Sequence, residues 1–285
     1  VAIGKSALGS LTNGERNIAI GYEAAGVLTT GNNNTIMGYR AFDAAIDTES
    51  NNVAIGTYAM GSVDQGSHAT ADVDDNVAIG YQAMLGGDFG SGNTNMINNV
   101  AIGSWTMDGT GSYEAKYNTF VGGEAGGGTW GAACSGNTGI GFLSMDAALY
   151  GAHDNTAVGY DSLGALTTGD YNVAVGKGAL LSITTGGSNT AIGNGAADAF
   201  GAGETDNTVI GANAMGSMDE GSNGNVNQNV AIGTNALLGA DLGSASTDII
   251  DNIAIGTQAM DSGSIGAQTG IVAIGAQALG ALTTG

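Results

Sequence analysis

One cysteine and two histidines are the side chains best suited to nucleophilic or metal chemistry in this chain, and the sequence keeps them apart. Cys134 has no Lys, Arg or His close by in sequence to stabilise a thiolate, and no second cysteine to pair with; it reads as a buried, inert thiol. His68 and His153 are 85 residues apart (153 − 68) in loops of different repeat units. Neither has a zinc-type spacing to the other or to Cys134, so both read as solvated loop histidines. The run "DVDDN" sets the carboxylates of Asp72, Asp74 and Asp75 within four residues, which could supply oxygen ligands to calcium, the only cofactor the sequence suggests. It lacks the spacing of an EF-hand, and a solvated acidic loop is the better reading. The many Gly-x-Gly pairs are not followed by a strand-to-helix switch, so they are not a dinucleotide fingerprint. With no nucleophile elbow, phosphate loop or paired catalytic carboxylates, no enzyme is expected.

Composition narrows the class further. Of 285 residues 53 are Gly and none is Pro, which excludes collagen. A hydrophobic fraction of 42%, recurring in a fixed frame, argues against disorder. Asp and Glu number 26 against 5 Lys and Arg, a formal net charge of −21. A surface of that sign has no basic patch to displace counterions from phosphate, so neither nucleic acid nor an anionic membrane is an expected partner. No apolar run approaches the length of a membrane span.

What positions these residues is a repeat. The stretch "NNVAIGTYAM" from Asn51 returns as "NVAIGYQAM" from Asn76, "NVAIGTNAL" from Asn229 and "NIAIGTQAM" from Asn252. Marking the glycine that closes each copy gives Gly4, Gly21, Gly38, Gly56, Gly80, Gly103, Gly122, Gly141, Gly159, Gly176, Gly193, Gly211, Gly233, Gly256 and Gly275. That is about 15 rungs, spaced from 17 (21 − 4) to 24 (80 − 56) residues, with no room for another domain over 1–285. Representative frame residues are Asn52, Ile55 and Gly56; Asn76, Ile79 and Gly80; and Asn229, Ile232 and Gly233. Residues two apart share a strand face. The outer pair of "VAI" is therefore expected to face the core, with the central Ala on the other side. Asn four before the glycine is an ordinary turn former that can also ladder between stacked coils; only Ile271 breaks the series. After the glycine come Ala and then Leu, Met or Phe, and a loop of Gly, Ser, Thr, Asn or Asp, with Thr-Thr turns at Thr29, Thr167, Thr184 and Thr283. The shortest units cannot hold a strand plus a helix. An all-β parallel solenoid with two short strands and two turns per rung fits their length.

The frame Asn-x-Ala-Ile-Gly-x-x-Ala resembles the YadA-like head repeats of trimeric autotransporter adhesins, and "GNNNTIMGYRAF" and "GSNTAIGNGAA" look like related repeats of phage and bacterial fibres. The resemblance covers the whole chain. It implies a left-handed β-roll and three parallel copies side by side, at the tip or shaft of a surface fibre. These rungs are longer than those of the adhesin heads, which favours a fibre-type relative.

A slower period overlies the first. The spacings 17, 17, 18, 24, 23, 19, 19, 18 are answered after Gly159 by 17, 17, 18, 22, 23, 19, giving a super-repeat of 1–155 and 156–285. The long returns match in content: "AMGSVDQGS" at Ala59 answers "AMGSMDEGS" at Ala214. They carry Asp64, Asp88, Asp219, Glu220 and Asp241 and are expected to leave the stack as lateral loops that touch a receptor or glycan. Because the chain starts within one unit and ends within another, it reads as a segment of a longer polypeptide. The sequence thus predicts a non-enzymatic repeat rod of an extracellular fibre, at a cell or virion surface, that self-associates as a homotrimer and mediates attachment to a host or other surface. A phage tail-fibre shaft and a purely structural filament or matrix protein are the alternatives.

Overall fold

The computed structural model describes residues 1–45, 48–63, 72–86, 95–218, 225–239, 248–261 and 268–280. The described residues form a parallel β-solenoid with no helix, and none of their segments is a helix long and apolar enough to cross a membrane. The chain divides into two compact units, Val1–Gly151 and Ala152–Gly285.

In the first unit the three-residue repeat strands run from Ile18–Ile20 through Thr35–Met37, Val53–Ile55, Val77–Ile79, Val100–Ile102 and Thr119–Val121 to Thr138–Ile140, preceded by the shorter Ala2–Ile3. Each pairs in parallel with the next. The second unit repeats the arrangement from Thr156–Val158 to Val272–Ile274. Register never slips. Val53 pairs with Val77 and Ile55 with Ile79 across the 24-residue unit just as Ile18 pairs with Thr35 across the 17-residue one. The difference in rung length therefore leaves the strand register unchanged. The residues of the long returns expected to form lateral loops, Asp64, Asp88, Asp219, Glu220 and Asp241, lie outside the described residues, as do His68 and the Thr283–Thr284 pair.

Two expectations need correction. The first concerns the strand faces. The central residue of each strand points inward: Ala54, Ala78, Ile36, Phe120 and Val209 are fully buried. The flanking pair points outward, and Met37, Ile140, Ile192 and Ile210 are each more than a third exposed. The Ala and Leu or Met that follow the glycine, such as Ala59 and Met60, join the central residue inside. The coil is too thin to hold two β-branched columns, so the small residue takes the core side. Where the central residue is large, its neighbours shrink: a Cβ on Gly139 would lie 2.5 Å from Phe120 Cδ1, and one on Gly126 2.9 Å from its Cε1. These two glycines leave room for the phenyl ring, as a close-packed interior requires.

The second correction concerns the returns. Among the described residues a second, two-residue strand forms only in the longer rungs: Val73–Asp74, Met96–Ile97, Ala115–Lys116 and Cys134–Ser135 in one unit, and Val226–Asn227, Ile249–Ile250 and Gln268–Thr269 in the other. In the 17-residue rungs the return is a bend held by threonine. Thr12 N–H and Oγ1 both donate to Thr29 O (2.8 and 3.0 Å), and Thr167 treats Thr184 O in the same way (2.8 and 2.9 Å).

Two columns tie one rung to the next. The marker glycines stand at φ from 126° to 146°, and a Cβ on Gly80 would sit 2.3 Å from Gly103 O. Beside them runs a ladder of buried asparagines. Asn76 Oδ1 accepts from the backbone N–H of Asn99 (3.0 Å) and from its Nδ2 (3.1 Å), while Asn76 Nδ2 donates to Met96 O (2.7 Å). The pattern runs from Asn17 to Asn137 and from Asn155 to Asn252, and ends where Ile271 N–H donates to Asn252 Oδ1 (3.0 Å). The laddering expected of these amides is thus present, and no ligand is needed to explain them.

Candidate ligand-binding corner

The turn after each strand is built from residues of alternating hand. Positions two and four beyond the marker glycine are left-handed even where they carry side chains, as in Glu23 (φ 53°) and Ala25 (φ 47°), or Arg40 (φ 48°) and Phe42 (φ 54°). An L-residue costs roughly 1–2 kcal/mol in that region. The amides of positions two and four point in opposite directions along the stack. Arg40 N–H donates back to Tyr22 O (2.9 Å), and Phe42 N–H donates forward to Ala59 O (2.9 Å). Hydrogen bonds to both neighbouring rungs offset the strain.

This geometry points the first, second and fifth residues after the glycine outward at one corner, and three shallow clefts lie there. The largest, about 410 Å³, is lined by Trp105, Asp108, Glu124, Gly127, Gly128 and Asp146. Another, about 350 Å³, is lined by Ser6, Glu23, Gly26, Val27, Arg40 and Asp43, and a third, about 320 Å³, by Gln258, Asp261, Gln277 and Gly280. The fifth position follows a rule that the sequence carries in plain view once copies are aligned on the marker glycine: Asp43, Asp108, Asp198 and Asp261 are each followed, one rung on, by Gly61, Gly127, Gly216 and Gly280. The glycine leaves space for the carboxylate. A Cβ on Gly127 would come 3.3 Å from Asp108 Oδ1, and one on Gly216 3.0 Å from Asp198 Oδ1.

Electrostatics at the corner follow from this half-burial. Desolvation pushes Asp108 up to about 6, helped by the negative charge of Glu124 and opposed by a backbone hydrogen bond. Burial also raises Asp198, and it raises Asp43 despite the Arg40 guanidinium. Arg40 Nε donates to Glu23 Oε2 (2.7 Å) and lies 3.7 Å from Asp43 Oδ2. Glu23 is held below the usual carboxylate range, first by the Tyr22 hydroxyl and then by Arg40.

A raised carboxylate means that the folded chain keeps a proton which the unfolded chain releases, so stability falls as pH rises between about 4 and 6. The melting temperature is therefore expected to increase when pH is lowered from 8 to 5. Asp108→Asn should raise it at pH 8 and flatten the slope. Solvent screening limits the Asp108 share to about 1 kcal/mol. Thermal melts across that pH range check this; a steeper slope in the variant would contradict it.

The residues singled out from sequence are not brought together here. Cys134 is buried in its short strand, its thiol 3.4 Å from Ala132 O. His153 N–H donates to Asp170 Oδ1 (2.7 Å), a contact between rungs. Asp74 Oδ1 accepts from Ser50 N–H (2.6 Å), and burial raises its pKa, while Asp72 and Asp75 on either side are exposed. Asp74 thus works as a bridge between rungs. Among the described residues no three His, Cys, Asp or Glu side chains gather as a metal site. Sequence reasoning also missed Glu204, a buried carboxylate whose Oε1 accepts from Gly201 N–H (2.9 Å). Searches of protein-family models, of curated proteins and of solved structures find no match to this chain.

Proposed function

We propose that this chain is a non-enzymatic structural repeat segment of an extracellular fibre, working as a homotrimer that mediates attachment to a host or other surface. The observation that supports the reading is the outward aliphatic face. In each unit the last residue of every three-residue strand, such as Ile55, Ile79, Ile102 and Ile140 or Val158, Val175, Ile192 and Ile210, stands at least partly exposed in an unbroken aliphatic column, beside a first-position column in which Val and Ile share places with Thr. Contiguous apolar surface of that kind is uncommon on a soluble monomer and is normally covered. Identical parallel copies cover it economically, because their columns share one repeat distance. The resemblance to adhesin head repeats fits the same arrangement, at a cell or virion surface.

Sedimentation equilibrium of the protein at micromolar concentration should give three times the chain mass. The double variant Ile140→Lys with Ile192→Lys, at two outward positions, should sediment as a monomer with an unchanged circular-dichroism spectrum. Beads coated with the wild-type protein should be retained on cell or matrix surfaces. A folded wild-type monomer would remove the trimer, and beads that wash off every surface would remove attachment.

A further inference from the structure

The first unit carries an aromatic side chain at the corner in five successive rungs: Tyr22, Tyr39, Tyr58, Tyr81 and Trp105. Tyr22, Tyr39, Tyr81 and Trp105 are 37%, 44%, 43% and 43% exposed. The rings form two runs. Tyr22 and Tyr39 stack at 5.3 Å, with Tyr58 edge-on to Tyr39 at 5.5 Å, and Tyr81 meets Trp105 edge-on at 5.5 Å. These separations are close to the strand spacing of about 4.8 Å, so the rings follow the stack. They are held in place: Trp105 Nε1 donates to Gln82 Oε1 (2.7 Å), Lys5 Nζ lies 5.6 Å from the Tyr22 ring, and Arg40 lies 5.8 Å from that of Tyr39. The two clefts of this unit flank the track, one at Glu23, Arg40 and Asp43, the other at Trp105, Asp108 and Glu124.

We propose that this corner binds a neutral polysaccharide chain lying along the stacking direction. A pyranose ring offers apolar C–H faces that pack on aromatic rings, and a rim of hydroxyls that need hydrogen-bonding partners. The track supplies both: rings at the centre, and the carboxylates of Glu23, Asp43, Asp108 and Glu124 with the amide of Gln82 beside them. A sugar residue is about as long as a rung is high, so a repeating polymer meets repeating rings. Charge selects among polymers. Arg40 is already paired with Glu23, and the carboxylates repel nucleic acids and acidic glycans. An extended peptide would also use the rings, but successive backbone N–H groups of a strand point to opposite sides, so it offers fewer donors to the row of acceptors than the hydroxyl rim of a pyranose does.

The inference deepens the attachment reading and rests on it for its biological setting; the two are separable by experiment. Affinity electrophoresis through gels containing hydroxyethylcellulose, dextran or galactomannan should retard the protein in at least one, and gels containing alginate should not. The variant Tyr39→Thr, Tyr81→Thr, Trp105→Asn takes its residues from Thr57, Asn213 and Asn235, which hold the first or second position of other rungs; Asn also suits the left-handed backbone at Trp105. It should fold as the wild type does and bind at least about 10-fold more weakly, the loss of three ring contacts. Retardation by alginate, by none of the neutral polymers, or equally for wild type and variant would overturn the track. Bead attachment that survives such a result leaves the attachment reading standing, while polysaccharide binding without bead attachment removes that reading and keeps the track.

Discussion

Gly176→Ala is expected to cost about 4 kcal/mol or more, whereas Gly178→Asn, two residues further on, should change stability by less than about 0.5 kcal/mol. Gly176 sits at φ 135°, and a Cβ there would come 2.4 Å from Gly193 O, a backbone atom of the adjacent rung that cannot rotate away. The substitution adds backbone strain of roughly 1–3 kcal/mol and forces two rungs apart. Gly178 has φ 63° with nothing within 4 Å of its missing Cβ. Its counterparts Glu23, Asp161 and Asn213 carry side chains at φ 53°, 57° and 51°, so the site accepts asparagine, which also restricts the unfolded chain. Thermal melts of the two variants check the contrast. Equal losses would mean that the glycine column is not what sets rung spacing. Since each rung touches only its neighbours, the damaged unit should also lose cooperativity.

Asn76→Ala should destabilise by about 3 kcal/mol. It removes the acceptor of Asn99 N–H and the donor to Met96 O, both inside the stack. A buried polar group left without a partner costs roughly 1–3 kcal/mol, and two are created. Asn76→Asp separates the hydrogen-bonding account from a packing one, because the shape is kept. At pH 8 the buried carboxylate lacks the donor that reached Met96 O and Asn52 Oδ1. Protonation restores a donor, so the folded state raises this pKa, and stability should return as pH falls toward 4. If the aspartate variant were as stable as wild type at pH 8, the ladder would be dispensable.

How much of this was legible in advance differs from feature to feature. The marker glycines could be read because only glycine satisfies both the φ and the contact, so no copy departs from it. The asparagines could be read because an amide with a donor and an acceptor is needed at every level of the ladder. The outward side of "VAI" could not. A rule that sends branched aliphatics inward holds for wide cores and fails for a coil whose interior has room only for Ala54 beside Met60. The left-handed Tyr58, Met60 and Trp105 were also invisible, since nothing in their own preferences favours that conformation. It is imposed by rung-to-rung hydrogen bonds that local sequence does not contain.

The corner shows the same division. Its Asp–Gly alternation is written in the sequence at a fixed offset from each marker glycine. That the aspartates become half-buried, and that Trp105, Asp108 and Glu124 line one cleft, depends on residues 17 to 24 apart being stacked in register. By itself the sequence determined the repeat, its strand and its glycine and asparagine columns, because those requirements act within one rung or between identical positions. The tertiary structure decided which face is core, which turns are left-handed and which side chains meet, because those depend on the coil's width and on neighbours one rung away.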